Sequence, residues 1–184
     1  MKTSNISMDF LLKLKGSLAI EGLSCSGKTT LAKYLSRNLN AALIPEWALN
    51  IQENLFHNSI YQINDIVKSK IFEATFGSNV ISDRYFISTI LCDVVYRGKR
   101  NIDELIKSYS EKYLLPDYWI YLRITPEESF DRLKKYRLPS TATDTPWLNP
   151  EYIHSLFCGY ESIFSSLDNV IEVPSNYVYK YVCN

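Results

Sequence analysis

"GLSCSGKT", residues 22–29, is the stretch on which the fold turns. Gly22 and Gly27, followed at once by Lys28 and Thr29, fit the spacing G-x-x-x-x-G-K-[ST]. Phosphate oxygens need several donors converging on one point. A loop of this kind supplies them as backbone N–H groups, and its glycines bring the backbone close without a Cβ in the way. The loop works only between a strand and a helix, and both flanks fit. "SLAIE" (17–21) is a short apolar run between Gly16 and Gly22, and "TTLAKYLSRNL" (29–39) sets Leu31, Leu35 and Leu39 on one helical face. The positive end of that helix is then expected beneath the phosphates. Gly22, Ser24, Cys25, Ser26, Gly27, Lys28, Thr29 and Thr30 are accordingly expected to cradle ATP. Lys28 would reach the β- and γ-phosphates, and the Thr29 hydroxyl would complete a Mg²⁺ shell. Cys25 is read as a small side chain in the loop.

Outward from the loop, apolar runs of strand length alternate with helical spacing. "AALIP" (41–45), "SNVIS" (78–82), "YWIYLRI" (118–124) and "NVIEVP" (169–174) read as strands. Helical pattern fills much of 51–76, then "FISTILCDVVY" (86–96) and 102–113, the last capped by Asn101 with Glu104 behind it. "TPEE" (125–128) and "NPEY" (149–152) are helix starts, each a capping residue followed by proline and an acid. The first of these helices should run to about Arg137. Such alternation predicts an α/β fold whose parallel sheet is covered on both faces. "LPSTATDTPW" (138–147) is polar and turn-rich, and is expected to act as a lid within about 134–149. Residues 1–16 read as a leader or short helix, and 17–184 as a single domain.

Composition excludes more than it proposes. Twenty basic residues balance twenty acidic ones, so no nucleic acid or anionic membrane is called for as a partner. Cys25, Cys92, Cys158 and Cys183 lie far apart, with neither a C-x-x-C pair nor clustered histidines. That spacing argues against a zinc site or disulfide framework and for reduced thiols in a cytoplasmic protein. No apolar stretch is long enough to span a bilayer.

In open α/β sheets, ligands lie beyond the carboxyl ends of the strands, and two acids fall there. Asp83, in "NVISDRY", closes the third strand and is followed by Arg84; Glu46, in "LIPEW", follows the second. Asp83 can hold Mg²⁺ through water, and Arg84 can neutralise charge on the transferred group. Glu46 can accept a proton from an attacking hydroxyl, or bind the acceptor. The same letters would also suit a strand-end ion pair and a solvated loop acid.

These residues carry a family resemblance. The order "EGLSCSGKTT … PE … SDRYFIS … PDYWIYLRITPEESFDRLKK … NPEYIHSLFCGYESIF" resembles the thymidylate kinase and deoxynucleoside kinase group of P-loop kinases from about residue 17 onward. The resemblance implies the P-loop kinase fold, with five parallel strands in the order 2-3-1-4-5, helices on both faces and a lid. It makes Asp83 the metal-side acid and Arg84 the phosphate-side arginine. It also brings Gln62 of "YQIND", together with Glu46, Arg84 and Tyr85, to the acceptor, and suggests Arg132 and Arg137 as nucleotide-side cations. The pattern departs from the family in places. Thymidylate kinases usually have an acid where Ser24 stands, deoxynucleoside kinases usually have "ERS" where "DRY" stands, and "RLKKYR" has Tyr136 where an arginine is often found.

The expectation is a Mg²⁺-dependent kinase that moves the γ-phosphoryl of ATP to a small acceptor, with a homodimer allowed. Glu46, with no acid at Ser24, tilts the acceptor towards a nucleoside. A nucleoside monophosphate of the thymidylate type is the alternative. A non-nucleotide alcohol comes next, and a nucleotide-hydrolysing switch last, since no N-K-x-D-like stretch follows the loop.

Overall fold

The computed structural model describes residues 7–47, 58–98, 101–136 and 148–182. Arg137, residues 51–57 of the expected helical stretch and residues 137–147 of the expected lid lie outside them. Five strands, β1 (Ser17–Glu21), β2 (Ala42–Ile44), β3 (Val80–Asp83), β4 (Tyr118–Arg123) and β5 (Val170–Pro174), form one sheet in the order β2-β3-β1-β4-β5. All four pairings are parallel, which is the architecture the resemblance implied.

The period of two along each strand divides the core. In β4, Trp119 and Tyr121 face one layer while Ile120 and Leu122 face the other. The first layer packs against α3 (Asn58–Ala74), α4 (Phe86–Arg97), α5 (Ile102–Lys112), α6 (Pro126–Tyr136) and α7 (Pro150–Ser166). The second packs against α1 (Met8–Leu11), α2 (Lys28–Asn38) and α8 (Ser175–Val182). In β1, Leu18 and Ile20 belong to the second layer and Ala19 to the first. The alternation therefore sends Glu21 into the first layer, where it is fully buried.

The helix starts follow local chemistry. Thr125 Oγ1 accepts from Glu128 N at 3.2 Å, Asn149 Oδ1 from Glu151 N at 2.9 Å and Asn101 Oδ1 from Asp103 N at 3.0 Å. β3 begins two residues later than the apolar run suggested. Ser78 N donates to Thr75 O at 2.9 Å, and Asn79 Oδ1 accepts from Gly16 N at 3.0 Å, so both residues serve the turn. α1 falls within residues 1–16, read as a leader or short helix, whereas α8 was not expected.

Gly22 shows why the loop needs glycine at its entry. Its φ is +141°, and a Cβ there would lie 2.4 Å from the Leu122 carbonyl oxygen. Among the described residues, no helix is long and apolar enough to cross a membrane.

Candidate active site

The loop folds around Lys28. Its buried Nζ donates to Leu23 O at 2.5 Å and lies 3.3 Å from Ser26 Oγ. Burial first, and the Arg84 charge second, push its ammonium down to about 7. Asp83, Glu46 and Glu21 oppose that shift, and a phosphate oxygen would add a further counter-charge.

Next to it, Thr29 Oγ1 donates to Asp83 Oδ2 at 2.5 Å. Asp83 Oδ1 is buried and has no hydrogen-bond partner among the described residues. A hydroxyl and a carboxylate with an unused oxygen are the hard donors that Mg²⁺ prefers. No group of three or more His, Cys, Asp or Glu among the described residues could hold an ion unaided. That suits Mg²⁺, which commonly draws its remaining ligands from phosphates and water.

Arg84 adopts φ +62°, a left-handed conformation rare for a side chain of this size. Its Nη1 donates to Gly22 O at 3.2 Å, Ser88 Oγ at 2.9 Å and Tyr160 OH at 3.4 Å. Its Nε lies 2.8 Å from Glu46 Oε1 as an ion pair, yet without the alignment of a hydrogen bond. The structure thus brings Lys28, Thr29, Asp83, Arg84 and Glu46 to the carboxyl ends of β1, β2 and β3.

On the other side of the loop, Ser129 Oγ donates to Ser24 O at 2.9 Å and Ser175 Oγ to Ser26 O at 2.6 Å. Arg132 Nη1 donates to Cys25 O at 3.1 Å and Ser175 Oγ at 2.7 Å, while its guanidinium stacks 4.3 Å from the Tyr179 ring. Arg132, expected as a nucleotide contact, thus holds a carbonyl of the loop and also ion-pairs with Glu128. Cys25 takes φ +56° in the middle of the loop, half-buried, and Thr30 faces outward on the first turn of α2.

Tyr85 requires a correction. Expected at the acceptor, it is 1% exposed and sits among Phe72, Phe86 and Trp119, with its hydroxyl donating to Leu114 O at 3.1 Å. The left-handed turn at Arg84 drives the next side chain inward. Gln62 is half-buried on α3, beside the Tyr109 phenol.

Three buried charged residues of this site were absent from the sequence reading. Glu21 Oε1 accepts from Tyr85 N at 2.8 Å and Ser88 N at 3.2 Å, and its Oε2 from Ser88 Oγ at 2.5 Å. Burial raises its carboxyl, opposed by Arg84 and by these donors. It orients Ser88, which in turn holds Arg84. Lys68, on α3, donates to Asp83 O at 2.9 Å and Arg84 O at 2.8 Å. The one available signal was an acid ending an apolar strand at Glu21; Lys68 and Asp65 read as ordinary helix charges.

Asp65, buried on α3, has a carboxyl pushed up to about 7 by burial, against the Thr89 hydroxyl bond and the Lys68 charge, with Glu21 also raising it. Its Oδ2 has no partner among the described residues. The unfolded value is near 4, so between about pH 4 and 7 the folded state holds a proton that the unfolded chain releases. This contribution to stability is whole at pH 4 and lost as pH rises through 7. Asp65→Asn keeps an acceptor for Thr89 and cannot ionise. It should lose less stability than the wild type between pH 4 and pH 8, as thermal unfolding at both values would show. A constant offset across that range would refute the assignment.

No family model matches the chain. It is 28% identical over 187 aligned positions, 90% of each chain, to a protein of Picrophilus torridus named "Probable thymidylate kinase". It is also 28% identical over 138 positions to a protein of the same name from Metallosphaera sedula, spanning 65% of this chain and 66% of that one. Among solved structures, deoxyadenosine kinase from M. mycoides with dCMP and dCDP superposes with a TM-score of 0.60 at 20% identity, over 87% of this chain and 91% of that one. The same kinase with bound dATP gives 0.58 over the same shares, again at 20% identity. Phosphate loop, strand order and these likenesses agree: the chain has the P-loop kinase fold, resembles the thymidylate kinase and deoxynucleoside kinase group, and is a phosphotransferase.

Proposed function

We propose that the protein transfers the γ-phosphoryl group of ATP to a nucleoside monophosphate of the thymidylate type. The observation that carries this reading is the match along nine-tenths of the chain to a relative named as a thymidylate kinase. It weighs against the preference for a nucleoside drawn from Glu46 and from the absence of an acid at Ser24. Arg84 supports it: its buried Nε, ion-paired with Glu46 but without a hydrogen bond among the described residues, is a cation that an incoming phosphate could engage. A monophosphate is already ionised, so its attack needs no base.

The roles follow from the geometry. The loop amides and Lys28 hold the donor phosphates, and Arg84 faces the transferred group from the acceptor end. Asp83 and Thr29 would hold Mg²⁺, which when bound neutralises charge on the β- and γ-phosphates. Glu21 and Ser88 fix the arginine.

One observation favours a nucleoside instead. Glu46 stands at the end of β2, ion-paired with Arg84 at 2.8 Å and still partly exposed, as a general base for a hydroxyl would be. Turnover of ATP against nucleosides, monophosphates and simple alcohols separates the readings, with Glu46→Gln measured alongside. If a monophosphate is the acceptor, Glu46→Gln keeps kcat within about tenfold and lowers KM, because a like charge is gone. If a nucleoside is the acceptor, the same change costs about 10²- to 10⁴-fold in kcat. Hydrolysis of ATP at full rate without any acceptor would sink both readings.

A further inference from the structure

We propose that Lys68 is a positioning residue for phosphoryl transfer. With Ser82 it clamps the left-handed turn that sends two successive side chains, Asp83 and Arg84, to opposite ends of the reaction. The inference rests on the kinase reading above and extends it to residues that touch neither substrate.

Asp83 reaches Thr29 and the phosphate loop, while Arg84, its neighbour, reaches Glu46 and Ser88. This divergence depends on the backbone of Arg84 at φ +62°, which the strand's own geometry would not produce. Arg84 N donates to Ile20 O at 2.9 Å, so the turn stays anchored to β1. The carbonyls on either side of the turn then need donors, because buried acceptors left unmet are costly. Lys68 Nζ supplies both, at 2.9 Å to Asp83 O and 2.8 Å to Arg84 O. Ser82 Oγ supplies a second donor to Arg84 O at 2.6 Å.

Lys68 is 1% exposed. An ammonium carries three donors on a flexible stem, which lets one side chain bridge two successive carbonyls. Burying that charge is expensive, yet the acids around it, Asp65, Glu21, Asp83 and Glu46, all favour it. A cation that only filled the core would need none of this alignment on the turn.

The test measures ATP binding with and without Mg²⁺, and turnover with the acceptor found in the screen. Lys68→Met should bind ATP in EDTA within about threefold of wild type, since the loop donors remain. The strengthening of ATP binding by Mg²⁺ should fall about tenfold as Asp83 drifts. kcat should fall about 10²-fold, the size of loss a small misplacement can cause. Ser82→Ala, which removes one of the two donors to Arg84 O, should lose about tenfold in kcat with EDTA binding unchanged. It decides the matter by itself if Lys68→Met does not fold. Unchanged kcat and Mg²⁺ response in a folded variant, or equal losses in EDTA binding and in kcat, would overturn the proposal. The binding arm needs no acceptor. A wild type that binds MgATP yet phosphorylates nothing would therefore defeat the kinase reading while the clamp is still judged.

Discussion

Lys28→Ala should leave a folded protein whose phosphoryl transfer is slower by about 10³-fold, because a donor aimed at developing phosphate charge acts mainly through electrostatics. The fold survives for a reason visible in the loop. Its carbonyls are held by Ser129, Arg132 and Ser175, which all reach it from elements other than α2. Lys28 itself contributes a buried ammonium pushed down to about 7 by desolvation and by Arg84, so its removal takes away a costly buried charge together with its bond to Leu23 O. Turnover and thermal unfolding of the purified variant check both halves. Near-normal turnover with a normal melting curve would remove the phosphate-loop assignment.

Asp83→Asn should cost about 10²- to 10³-fold in turnover, and it should raise the Mg²⁺ concentration needed for half-maximal rate. Asparagine keeps an oxygen to accept from Thr29, so the contact between loop and strand is preserved. What it loses is the negative charge, and with it the pull of the Oδ1 that has no partner among the described residues. A variant with the wild-type Mg²⁺ dependence would show that the ion, if used, is held elsewhere.

Local patterns were legible in the sequence and distant contacts were not. The loop, the caps at Asn101, Thr125 and Asn149 and the five strands are written in spacings of a few residues, and the structure shows them where they were expected, apart from the late start of β3. Glu46, Asp83 and Arg84 were found because strand ends are where such chemistry collects. Lys68 could not be found that way. In "IVKSKIF" it looks like one more solvated charge, and its meaning lies 15 and 16 residues further along, in the carbonyls of the turn. Tyr85 was misread for the same reason, since nothing in "DRY" announces that Arg84 turns left-handed and drives the next ring into the core. α8 was missed because its first residue, Ser175, spends its hydroxyl on Ser26 O, 149 positions away.

That last contact bears on how the chain is made. The phosphate loop leaves the ribosome early, but one of its braces is Ser175, which also receives Arg132. Until α8 has been synthesised, the loop's backbone acceptor at Ser26 cannot be fastened as it is in the folded protein, and Arg132, which holds Cys25 O, lacks its contact with Ser175. β1 must likewise wait for β4 to supply one of its two neighbours. A nascent chain therefore carries the complete loop sequence without a complete loop. The loop as it stands in the folded protein forms only once α8 is in place.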